Sequence, residues 1–167
     1  MKKTGAVLLC MSVLLAGGCG RTAETEDTAG ETQDETATAA PDEWVSYDTL
    51  EAAEEQAGFT VTDPGFTGYE SLAYAYNAGQ EILEIRYESG DDAVVIRKGT
   101  GIRDVSGITD EFDKEENGEQ NGHDIFVKKN NDLAQLAIWH DDTSSYSLYI
   151  STGSDEQDFL AKTAAIS

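Results

Sequence analysis

Between Leu72 and Ile150 apolar side chains recur at every second position in short runs, and each run stops at a cluster of Gly, Asn, Asp or Ser. That period puts successive side chains on opposite faces of an extended chain, so the segment must form a sheet rather than helices. Leu72, Tyr74 and Tyr76 precede Asn77-Ala78-Gly79; Leu83, Ile85 and Tyr87 precede Ser89-Gly90-Asp91; Ala93 to Ile96 is a continuous apolar run. The second half repeats the plan. Asn121-Gly122 is a hairpin signal, because the two-residue turn that matches strand twist needs positive φ at both positions. Ile125 and Val127 follow, then a turn at Asn130-Asn131, then Leu133, Ala137 and Trp139, and last Tyr146, Leu148 and Ile150. Leu136 and Ile138 are apolar on the face opposite Ala137 and Trp139, so the central strands should be covered on both sides. Helices should take one face; sheet curvature, a long loop or a partner should close the other.

Helical spacing flanks the strands. A helix is expected over about 48–57, with Asp48 as cap, Glu51 completing a capping box and Gly58 ending it in a left-handed conformation. Leu50, Ala53 and Ala57 share its apolar face. A second is expected over about 155–165, with Ser154 and Gln157 in the cap pattern, Leu160, Ala161, Ala164 and Ala165 as its stripe, and Phe159 beside it. The expected fold class is α+β: a curved antiparallel meander sheet of six to seven strands with one helix before it and one after.

The first residues read as an address. Lys2 and Lys3 form a positive start, Ala6 to Ala16 is apolar apart from Ser12, and Ala16-Gly17-Gly18 precedes Cys19. This is the layout of a secretory signal, too short to remain as a spanning helix. It resembles the bacterial lipoprotein signal, which implies cleavage before Cys19 and lipidation of that cysteine. Residues 1–18 are then the signal. Cys10 leaves with it and Cys19 carries lipid, so no disulfide is expected. Residues 20–43 hold eight acids, one base and no aromatic or large aliphatic side chain. Such a segment cannot bury enough apolar surface to offset its ordering entropy, so 19–43 is expected to be a lipidated cysteine followed by a disordered acidic linker. Twenty-four flexible residues reach roughly 25–30 Å, beyond the Debye length of about 8 Å at physiological salt. The head that follows, 44–167, is read as a single α+β domain.

The 167 residues carry 33 acids against 11 Lys and Arg, a net charge of -22. A nucleic-acid surface needs clustered cations to displace counterions from phosphates, and no such cluster is present, so DNA and RNA are excluded as partners. The head alone has 25 acids and 8 bases, a net of -17.

The order of Leu50-Glu51-Ala52-Ala53-Glu54, Gly58-Phe59-Thr60-Val61, Gly68-Tyr69, Val95-Ile96-Arg97-Lys98-Gly99-Thr100-Gly101, Asp104-Val105-Ser106-Gly107, Ala137-Ile138-Trp139 and Tyr146-Ser147-Leu148 resembles an uncharacterised extracytoplasmic domain family. Members occur in lipoproteins of Firmicutes and behind the membrane anchor of anti-sigma-factor-like proteins. The family usually has a proline on each side of the segment before the Gly-Tyr pair, whereas here Pro64 stands alone. The resemblance implies no catalytic residue. Cleavage before Cys19 would leave nothing in the cytoplasm to hold a sigma factor, so the chain could supply only an external module.

Asp113 to Asp124 places oxygen-bearing side chains at Asp113, Glu115, Asn117 and Asp124 with Gly118 at the sixth position, close to an EF-hand calcium loop. It departs from that loop at Glu115, at polar Gln120 and at Asp124, where a bidentate Glu belongs, and it lacks flanking amphipathic helices. The competing reading is a solvated strand running into the Asn121-Gly122 turn. Lys98-Gly99-Thr100-Gly101 follows a strand like a phosphate-cradling turn, but Asp104 falls where a third glycine belongs; a turn or bulge is the better reading. His140-Asp141-Asp142 and His123-Asp124 could offer metal ligands, yet no zinc spacing supports them and Asp-Asp between strands is ordinary turn chemistry. Trp44, Trp139 and the tyrosines could line a ligand surface, but at strand spacing they read as core or cross-strand pairs. No Gly-x-Ser-x-Gly elbow is present.

The expected function is a lipid-anchored module on the extracytoplasmic side of the cell membrane, non-enzymatic, that interacts with an envelope protein or senses a small ligand. No cofactor is expected, calcium apart. The alternatives are a calcium-binding envelope module using the acidic loop 104–124, and a hydrolase built from acids that only folding brings together.

Overall fold

The computed structural model describes residues 43–167; the expected signal, Cys19 and the linker as far as Asp42 lie outside the described residues. The strands are β1 (Trp44–Tyr47), β2 (Ser71–Asn77), β3 (Ile82–Ser89), β4 (Asp92–Thr100), β5 (Lys114–Gln120), β6 (His123–Asn130), β7 (Leu133–His140) and β8 (Ser144–Ser154). Helix α1 (Leu50–Ala57) follows β1, and α2 (Glu156–Thr163) follows β8. The fold is α+β with one open antiparallel sheet, ordered β1-β2-β3-β4-β8-β7-β6-β5. The sheet therefore has eight strands rather than six or seven, and it comprises two four-stranded meanders joined where β4 pairs with β8. Because β1 precedes α1, the first helix does not stand before the sheet as expected.

Local chemistry explains the elements. Thr49, not Asp48, caps α1, its hydroxyl accepting from the Ala52 amide at 3.2 Å, and Gly58 ends the helix at φ 76°. Asp155 caps α2 in place of Ser154. α2 buries Phe159 and Thr163; Ala161 is exposed, and Ala164 and Ala165 lie exposed beyond its last residue, so the expected alanine stripe faces solvent. Asn121 and Gly122 both have positive φ, as their hairpin turn requires. The next hairpin turns one residue later than expected, at Asn131-Asp132, again with both φ positive.

One face of the sheet carries the main core: Leu83, Ile85, Val94, Ile96, Val127, Leu148, Phe159 and Ile166, with α1, α2 and the segment 58–70 packed over it. The opposite face, where Val95 pairs with Tyr149 and Tyr149 with Leu136, is closed by the crossover 101–113, a long loop. Its own Val105 and Ser106 are buried against the sheet, and the ring of its Phe112 lies 5.5 Å from the Lys128 ammonium. Ala134 and Ala137 both join the main core although three positions apart, because a bulge lies between Ala134 and Leu136.

Candidate functional site

On the helix-covered face the registers align one residue from every strand: Val45, Tyr76, Leu83, Lys98, Tyr146, Trp139, Ile125 and Gly118. Cross-strand neighbours on one face touch, so this row is continuous. The Trp139 and Tyr146 rings stack at 5.4 Å and 9° from parallel. On the other side of Tyr146 the Lys98 ammonium lies 4.9 Å from its ring, and it is 6.0 Å from the Phe59 ring. Burial lowers the Lys98 pKa, against the opposing pull of Asp141 and Glu54.

Asp141, in the turn between β7 and β8, organises the end of this row. Its Oδ1 accepts from the amides of Thr143 and Ser144, both at 2.8 Å, and its Oδ2 from the Tyr146 hydroxyl at 2.8 Å. Partial burial would raise its pKa, but these donors together with the Thr143 hydroxyl outweigh it and leave the carboxyl at about 2. Burial, and then the Asp141 carboxylate, push the Tyr146 phenol up to about 12.

The tip of the β5–β6 hairpin docks on the end of α2. The Gln120 side chain donates to the Leu160 carbonyl and accepts from the Thr163 hydroxyl at 2.5 Å, while Asn121 donates to the Ala164 carbonyl at 3.4 Å. Between hairpin, helix end and sheet lies a cavity of about 150 Å³. Ile125, Trp139, Tyr146 and Ile166 give it an apolar floor; Asn121, His123 and Asp141 stand at its polar rim. A more open groove of about 260 Å³ adjoins it, sharing His123 and Asp141 and adding Glu119, Asp124, His140 and Asp142.

Asp113, Glu115, Asn117 and Asp124 do not surround a common point. Asp113 accepts from the Asn131 amide at 3.1 Å, Glu115 pairs with Lys128 at 3.3 Å, Asn117 stands opposite Phe126 and Asp124 opposite Glu119. An extended strand spreads Asp113 and Asn117 about 13 Å apart, whereas calcium needs its oxygens within about 2.6 Å of itself. The segment is a solvated edge strand and hairpin. Among the described residues no group of three or more His, Cys, Asp or Glu is placed to hold a metal ion. The two histidine-acid pairs, read singly as turn chemistry, do meet in the open groove. Lys98-Gly99-Thr100 closes β4 as strand; Gly101 turns at φ 75° and donates to the Thr143 carbonyl at 2.8 Å, and no helix begins there.

Sequence reasoning placed Trp139 in the core, and it is both core and cavity floor. Gln120, Asn121, Thr163, Ala164 and Ile166 carry no local sequence signal of a site, because only docking of the hairpin on α2 gives them a common cavity. Among the described residues no helix is long and apolar enough to cross a membrane. No family model, curated protein or solved structure matches this chain.

Proposed function

We propose that this protein is a lipid-anchored, extracytoplasmic interaction or sensor module of the kind its motif order resembles, and that it is not an enzyme. The observation that carries the reading is Leu14-Leu15-Ala16-Gly17-Gly18-Cys19 behind Lys2, Lys3 and an apolar stretch, since charge, apolar length, small residues and cysteine coincide. Lipid on Cys19 holds the chain to the membrane, and the acidic spacer presents the head outside it, where an envelope protein or small ligand is met.

The head supports this reading through its construction. Both sheet faces are covered by the chain itself, and the cavity beside α2 is far smaller than the roughly 300–1,000 Å³ of drug-sized pockets. Around it, Asp141 is engaged by its own turn, and no serine or threonine hydroxyl among the described residues hydrogen-bonds a histidine ring as a nucleophile–base pair would.

Mass spectrometry of the mature N-terminus tests the anchor: lipid-modified Cys19 is expected, and an unmodified Cys19 or cleavage elsewhere overturns it. Crosslinking in intact cells should recover an envelope partner. Repeated failure, together with no ligand in a metabolite screen, overturns the interaction reading.

A further inference from the structure

We propose that the cavity over Trp139 and Tyr146 binds a small organic cation, a primary ammonium on a short apolar body, with Asp141 as its counter-ion. This deepens the reading of the head as a sensor module and rests on it.

Size, floor and charge agree. About 150 Å³ is the volume of a cavity that takes one benzene-sized molecule. The floor of Ile125, Trp139, Tyr146 and Ile166 offers apolar and aromatic surface to such a body, and aromatic rings also attract a nearby cation. At the rim, Asp141 Oδ1 is saturated by its turn, but Oδ2 accepts only from Tyr146 and keeps a free lone pair. Asn121 uses its amide nitrogen on Ala164, which leaves its side-chain oxygen as a second acceptor. An ammonium group brings three donors and no acceptor, the complement of that rim.

The surroundings point the same way. Among the described residues no Lys or Arg lines the cavity or the adjoining groove, while Glu119, Asp124 and Asp142 line that groove beside Asp141. Lys98, across the Tyr146 ring, offsets part of the Asp141 charge without entering the cavity. A head of net charge -17 draws cations towards it from a distance. Among the described residues Asp141 is the one acidic side chain lining the cavity itself, and with apolar walls that suits an organic cation better than a divalent metal, which needs several oxygens at once.

Trp139 can report occupancy. In the full chain held in detergent micelles, Trp44→Phe leaves Trp139 as the sole tryptophan. Titration with n-butylammonium should give a saturable change in its emission. The neutral 1-butanol should bind at least roughly tenfold more weakly, and Asp141→Asn should weaken n-butylammonium by a similar factor. Should Asp141→Asn fail to fold, Ala164→Phe fills the cavity from an exposed helix end and should abolish the response while circular dichroism stays unchanged. Equal binding of 1-butanol, binding indifferent to both substitutions, or no saturable response from the folded chain overturns the proposal. Those results leave the anchored, partner-binding module standing, whereas an unlipidated Cys19 leaves the titration untouched, so the two failures are told apart.

Discussion

Arg97 and Glu84 stand opposite each other on β4 and β3 and form an ion pair, Nε to Oε2 2.7 Å, under the crossover that closes the second face. Glu84 also takes Arg86 at 2.8 Å. Arg97 in turn donates to the Ser106 carbonyl, and the Trp44 ring lies 5.2 Å from its guanidinium. One arginine thus ties the sheet, the crossover and the first edge strand together. Its side chain is 15% exposed and that of Glu84 9%, so removing Arg97 leaves the Glu84 carboxylate with Arg86 alone and little water to take the lost partner's place.

Arg97→Ala should therefore cost about 3 kcal/mol, in the range for breaking a buried pair. Arg97→Met with Glu84→Leu should recover most of that loss. Urea unfolding of the three chains checks both statements, and a double variant no better than the single one would contradict the account.

Asp141 sets a pH dependence with a definite sign. Its carboxyl lies at about 2, below the ordinary 3.8. A depressed acid contributes stability that is full above the ordinary value and is lost as pH falls from about 4 through 2. Because the group is partly exposed, solvent screening holds the contribution to about 1 kcal/mol. Urea midpoints at about pH 6 and pH 2.5 should thus differ less in Asp141→Asn than in the natural chain.

Two glycines with positive φ should respond unequally to alanine. Gly122, at φ 81° in the hairpin turn, has open space where a Cβ would go, so Gly122→Ala costs only backbone strain, about 1 kcal/mol. Gly107, at φ 62° in the crossover, would drive its Cβ into the Arg97 guanidinium. Gly107→Ala should cost clearly more, about 2–3 kcal/mol, and thermal unfolding should rank the pair accordingly.

The sheet was readable because Leu83, Ile85 and Tyr87, or Ile125 and Val127, alternate as a half-covered strand must. The two edge strands were harder. Trp44–Tyr47 is too short for its period to register, and Lys114–Gln120 carries no apolar side chain at all, so hydrophobic patterning is blind to it. That blindness is why a calcium loop competed with a strand over the same residues. The α2 stripe was misplaced because the helix ends at Thr163, which leaves Ala164 and Ala165 past its last turn, and because Phe159 and Thr163, four positions apart, form the face that is buried. The cavity could not be read from sequence. Its walls come from a hairpin tip, a turn and a helix end that no local spacing links.

The seam between the meanders also has a kinetic meaning. Each meander forms from neighbouring strands over short turns, whereas β4 and β8 must bring together residues as distant as Val94 and Ile150. Closing a long loop costs entropy before its contacts repay it. The two halves can therefore organise early and separately, and the central ladder closes late. The rate at which this head reaches its native state is then governed by the β4–β8 encounter, and substitutions at Ile96 or Leu148 should slow folding more than equally destabilising ones inside either meander.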